Sequence, residues 1–180
     1  MKTTNVKRIA FTGLMAALVF VTSKFLSIPL PTAIDNTRLH MGNVMCLLSG
    51  LLLGPVHGGL AAGIGSVIFD LLDPQYITSA PFTFAFKFAM AWICGMIAVY
   101  RTDTKKWRYI AGSVTGALSY VVLYLSKTFV ENTILGYELE TVLLTVAQKA
   151  GASLVNGILA AVISVPLALA LRPSIKKYLH

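Results

Sequence analysis

The chain has 180 residues, 56% hydrophobic and only 12% charged, with a formal net charge of +8. Soluble globular domains carry about 25% charged residues, so water cannot be the solvent over much of this surface and lipid must replace it. The basic excess lies in short segments between apolar runs, not on an aromatic-interleaved face, which points to anionic headgroups and away from nucleic acid. The length suits a single domain spanning residues 1–180. The two cysteines, Cys46 and Cys94, sit inside apolar runs, and no CxxC or Cys/His cluster occurs. Neither a disulfide framework nor a metal or cofactor site is expected.

A bilayer-crossing helix needs about 20 mostly apolar residues. The first candidate runs from Arg8 to about Ser27 and ends at Ile28-Pro29-Leu30-Pro31, because proline cannot continue the helical ladder. Its start resembles a signal peptide but lacks a small-x-small cleavage site, so it is expected to be retained as a helix. A polar segment, Thr32 to His40, follows. Two short spans come next, about Met41–Leu53 and Gly59–Leu72, split by the turn signal Gly54-Pro55-Val56-His57-Gly58-Gly59. Pro81 opens a fourth span that reaches about Tyr100 and contains Lys87. After the basic loop Arg101–Arg108, a fifth span covers Tyr109–Ser126. Lys127–Glu140 reads as a polar, acidic connection. The sixth span, Thr141–Leu171, carries Gln148 and Lys149 in its first third. The expected fold is therefore an all-α membrane protein, a bundle of six transmembrane helices.

Ten of the fifteen basic residues fall in alternate connections: Lys2, Lys7 and Arg8; Arg101, Lys105, Lys106 and Arg108; Arg172, Lys176 and Lys177. The positive-inside rule then places both the N- and C-termini in the cytoplasm.

An ionisable residue at hydrocarbon depth costs about 2.5–3.5 kcal/mol on insertion scales and requires a partner, a wet cavity or a ligand. Lys87 and Lys149 each lie several residues inside a span. Lys149, Ser153 and Asn156 share one helical face. With Asn43, Tyr120, Tyr124 and Lys127, they all fall toward the outer side, which is economically explained by a pocket open to the outside. The bland alternatives are lysines that snorkel to headgroups, tyrosines that anchor the interface, and an Asn156 that bridges helices. Gly13-x-x-x-Ala17, Gly50-x-x-x-Gly54 and Gly59-x-x-x-Gly63 allow close helix packing, and on the first helix the stripe can equally dock another subunit. No HExxH, P-loop, GxSxG or paired carboxylate motif is present, so no catalytic residue and no ATP use by this chain are expected.

Gly42-Asn43-Val44, then Leu51-Leu52-Leu53-Gly54-Pro55-Val56-His57-Gly58-Gly59, Gly63-Ile64-Gly65-Ser66 and Phe69-Asp70-Leu71-Leu72 resemble the substrate-binding S component of energy-coupling factor (ECF) vitamin transporters. Pro81-Phe82-Thr83 with Lys87 and Gly95 resembles the fourth helix of the same group. The resemblance implies a multi-pass protein of a prokaryotic plasma membrane, a small water-soluble vitamin as ligand, and the Ile28–His40 loop as a lid. It also implies association with a membrane-embedded T subunit and two cytoplasmic ATPases, with toppling of the S component carrying the ligand inward. Docking falls to Ala10, Gly13 and Ala17, where the family commonly has Ala-x-x-x-Ala. Within the family the chain is most similar to the hydroxymethylpyrimidine or pyridoxine-type branch. Arg38, His40, Asn43, Lys87, Tyr124, Lys149, Ser153 and Asn156 are the substrate-binding candidates. The competing readings are a solitary transporter without ATPases, an intramembrane enzyme and a purely structural subunit.

Overall fold

The computed structural model describes residues 2–99 and 105–179. Six helices are present among them: α1 (Lys2–Phe25), α2 (Gly42–Leu53), α3 (Pro55–Leu71), α4 (Ala80–Val99), α5 (Lys106–Ile134) and α6 (Leu139–Leu179). Four stretches are long and apolar enough to cross a membrane, Val6–Phe25, Ile77–Ala98 (a 3-10 turn, Ile77–Ser79, running into α4), Lys106–Ile134 and Leu139–Ile175, whereas α2 and α3 are shorter apolar helices. Arg101 lies outside the described residues, as do the side chains of Lys2, Lys176 and Lys177.

Three boundaries differ from the sequence expectation. The polar segment after α1 is not a plain loop. Ser27–Pro31 (β1) pairs antiparallel with Asn36–His40 (β2), in a register that sets Ser27 opposite His40 and Pro31 opposite Asn36. Pro29 and Pro31 stop a helix, but they are tolerated in this ribbon because each strand has one unpaired edge. The tip is closed by the Thr32 hydroxyl, which donates to the Asp35 carboxylate at 2.8 Å. Secondly, α5 does not stop at Ser126 but continues to Ile134. Thr128 and Asn132 are i, i+4 and both buried, while Lys127 and Glu131 form an i, i+4 ion pair of 2.5 Å. Polar residues on one face had the composition of a connection, yet the period of a helix. Thirdly, α6 runs through Pro166 and Pro173 to Leu179, since a proline in an apolar helix removes one backbone bond without ending the ladder.

Gly54, with φ of 80°, joins α2 to α3 in a backbone conformation that disfavours any side chain, and Pro55 begins α3 immediately after it. Here the helices approach backbone to backbone. A Cβ on Gly58 would lie 2.6 Å from the Gly50 Cα, and one on Gly95 of α4 would lie 2.7 Å from the Pro55 nitrogen. Farther along, a Cβ on Gly116 of α5 would come within 2.7 Å of the Met90 carbonyl oxygen. Lipid tails offer no hydrophobic drive for helix association, so such close van der Waals contact is what holds the bundle. Around it pack Val19, Leu47, Leu51, Met90 and Ala160, all fully buried. The hairpin caps the opposite end of the bundle.

Candidate functional site

Beneath the hairpin the bundle opens into a cavity of about 360 Å³. It lies where α3 and α4 diverge from the ends of α5 and α6. Seven of the eight substrate-binding candidates line it: Arg38, His40, Lys87, Tyr124, Lys149, Ser153 and Asn156. Asn43 is the exception. It is 1% exposed, and its Oδ1 accepts a hydrogen bond from the Lys87 ammonium, so it orients the lysine from behind.

Lys87 and Lys149 do not snorkel. Their exposures are 3% and 5%, and both ammonium groups point inward. Lys87 Nζ stands 3.7 Å from the centre of the Tyr120 ring, and Lys149 Nζ 5.6 Å from that of Tyr124. The two tyrosines are i, i+4 on α5 and their rings stack at 5.8 Å with 6° between planes. A flat aromatic wall with a cation over each ring results.

Several residues marked by the sequence as ligand contacts are engaged with the hairpin. Lys149 pairs with Asp35 at 2.6 Å near the hairpin tip. Asn156 uses both ends of its amide on β2: Oδ1 accepts from the His40 backbone N–H at 3.0 Å, and Nδ2 donates to the Arg38 carbonyl at 2.7 Å. Gln148 Oε1 accepts from the Ala33 N–H at 2.9 Å. These three α6 side chains fasten one edge of the roof. On the other side, Arg38 pairs with Asp73 at 2.6 Å and lies 4.9 Å from the Tyr76 ring centre and 5.3 Å from that of Phe69. Thr37 faces Tyr124 across 3.5 Å between their hydroxyl oxygens. The hairpin is thereby tied to α6, to α5 and to the α3–α4 connection.

His40 sits inside this enclosure. Burial, then the nearby Lys87 and Arg38 charges, push its imidazole pKa down to about 3, so the ring is neutral at physiological pH. Burial also raises the Tyr76 phenol, against the stabilising effect of Arg38 on the phenolate.

The sequence did not single out Asp35, Asp70, Tyr76, Phe82 or Phe86 as site residues, although all line the cavity. Asp70 carried the clearest available signal. It is a carboxylate at the end of an apolar helix, where an ionisable group demands a partner or water, and the structure buries it to 5% exposure. Ala10, Gly13 and Ala17 lie on the outward face of α1, and a Cβ on Gly13 would meet nothing within 4 Å. Among the described residues no group of three or more potential metal ligands is found.

The family model described as ECF-type riboflavin transporter, S component, matches residues 3–173. The chain belongs to the S-component family of ECF transporters. It is accordingly a membrane protein of a transport system, the substrate-binding subunit and not an enzyme. A solved S component of a bacterial ECF transporter superposes with a TM-score of 0.71 at 20% identity, covering 96% of this chain and 99% of that one. At that identity the likeness is one of fold. An uncharacterized protein of Pyrococcus woesei, from a gap 3′ region, is 32% identical over 112 residues, which is 62% of this chain and 72% of that protein. A UPF0397 protein of Lactiplantibacillus plantarum is 35% identical over 68 residues, 38% of this chain and 36% of its own length.

Proposed function

We propose that this S component captures a small water-soluble vitamin or precursor from outside a prokaryotic cell, and releases it inward when coupled to a T subunit and two ATPases. The observation that carries the reading is the roofed cavity: about 360 Å³, aromatic-walled, closed by a hairpin that charged and amide side chains hold in place. Small-molecule sites span about 300–1,000 Å³, so the volume suits a compact heterocycle. Both termini are cytoplasmic in this reading, by the lysine and arginine distribution, and the hairpin faces outward. All six helices belong to one membrane bundle, with the short α2–α3 pair accommodated by local thinning of the bilayer.

The substrate-binding group is Lys87, Tyr124 and Ser153 within the cavity, with Asn43 orienting the lysine. Arg38, His40, Lys149 and Asn156 act mainly by holding the lid. The outward stripe Ala10, Gly13 and Ala17 is the docking face for the T subunit, since small side chains admit a close helix neighbour. Toppling of the whole S component carries the ligand across.

Two ligands compete for the site. The sequence resemblance favours a hydroxymethylpyrimidine or pyridoxine-type compound, and the name of the matching family model favours riboflavin. Mild denaturation of the purified protein, with mass spectrometry of what is released, tests the reading. A stoichiometric vitamin or precursor is the expected result. A ligand present at about 100 times its dissociation constant raises stability by about 2.7 kcal/mol, so a thermal-shift panel containing all three compounds is the companion measurement. Failure of every compound to shift the transition would overturn the vitamin reading. Gly13→Leu with Ala17→Leu is expected to abolish uptake by the assembled transporter while leaving ligand affinity unchanged.

A further inference from the structure

The charges around the cavity are nearly all answered within the protein. Arg38, Lys127 and Lys149 pair with Asp73, Glu131 and Asp35 at 2.5–2.6 Å. Among the described residues, the charged lining groups left without an ion-pair partner are Lys87 and Asp70. They project from neighbouring helices, α4 and α3, and both are almost completely buried. An ammonium has three N–H donors. Lys87 directs one to Asn43 Oδ1 and lies over the Tyr120 ring, which leaves it a donor for a further acceptor. Asp70 is a pure acceptor when ionised, and it stands beside Thr83 on the cavity wall.

We infer that the ligand is a net-neutral planar heterocycle presenting an acceptor to Lys87 and a donor to Asp70, and that the site rejects the phosphate ester of the same compound. The inference rests on the vitamin-binding reading above. A ring carrying both kinds of edge group, such as a hydroxylated pyridine, an aminopyrimidine or the imide edge of a flavin, satisfies both charges at once. The walls of Phe82, Phe86, Tyr120 and Tyr124 cover its faces. A phosphate group would bring about two negative charges at neutral pH. Lys87 is the one lining cation free to answer them among the described residues, a single charge against two, because each of the other three is neutralised by its own carboxylate, while Asp70 adds repulsion. Burying an uncompensated charge is among the most unfavourable events in a binding site. The ion pairs that close the lid thus also set the charge of what is admitted.

The test uses the full chain in detergent or lipid nanodiscs and three matched pairs: pyridoxine, riboflavin and hydroxymethylpyrimidine, each beside its phosphate ester. For the parent that binds, the ester is expected to bind at least about 100-fold more weakly. Lys87→Met and Asp70→Asn are each expected to weaken the parent about 10-fold or more. Asp35→Asn releases the Lys149 charge and is expected to narrow the gap between parent and ester, a gain that misfolding cannot mimic. An ester that binds as tightly as its parent would overturn the inference alone, as would unchanged affinity in both Lys87→Met and Asp70→Asn. Binding by no parent, in protein that keeps its thermal transition, would overturn the underlying vitamin reading and this inference with it.

Discussion

The two ends of this bundle are built on opposite principles. At the α2–α3 turn, glycines bring α2, α3 and α4 into backbone contact, and the packing is close and largely apolar. At the hairpin end α3, α4, α5 and α6 instead line a cavity, with ion pairs, amides and tyrosines around it. The first arrangement tolerates no added atom, since neighbouring main chain cannot yield. The second is a set of polar contacts that can be broken one at a time. The proposed capture of a ligand draws on both: a tightly packed seam as the fixed point and a roof held by separable contacts.

The sharpest way to break the contrast is at the seam. Gly95→Leu puts a side chain where even a Cβ lies 2.7 Å from the Pro55 nitrogen and 2.9 Å from the Gly50 carbonyl oxygen. A loss of about 3 kcal/mol or more is expected, read as a collapse of the thermal transition in detergent. Gly13→Leu, on the open face of α1, is expected to leave that transition within about 0.5 kcal/mol.

The roof answers more mildly and unevenly. Asp35→Asn leaves Lys149 unpaired at 6% side-chain exposure, whereas Lys149→Met leaves Asp35, which is 43% exposed and can be solvated. The first is expected to destabilise by about 2 kcal/mol and the second by less than about 1 kcal/mol. Equal losses would show that the pair behaves as an ordinary surface bridge. Asn156→Leu removes the bonds to the Arg38 carbonyl and His40 N–H and is expected to cost about 1–2 kcal/mol. Its specific signature is faster hydrogen exchange at the His40 amide, with the seam amides unchanged.

The roof also carries a pH dependence. The His40 pKa in the folded protein is about 3, against an ordinary value of 6.5. Above pH 6.5 the neutral ring is common to both states and the native packing is fully stable. As pH falls below that value, the unfolded chain takes up the proton and the folded one does not. Stability then declines by up to about 1.4 kcal/mol per pH unit until the folded ring also titrates. His40→Gln is expected to flatten the melting temperature between pH 6.5 and pH 5 relative to the parent protein.

Hydropathy alone determined the membrane class and the helix count, because each apolar run reports directly on its own solvent. The polar placement of Lys87 and Lys149 was legible too, as a penalty demanding a partner. The partners were not. Lys149 meets Asp35 across 114 positions and Arg38 meets Asp73 across 35. Such pairings depend on the rotation and depth of whole helices, which no local period encodes. Nor did alternation in so short and proline-broken a segment declare a hairpin. The last turns of α5 escaped for a related reason: Thr128 and Asn132 read as loop residues until a cavity gave their face something to line. Sequence determined that polar groups had to be buried together at one end; only the tertiary structure decided which of them hold the roof and which remain for the ligand, because that division is set by three-dimensional distance.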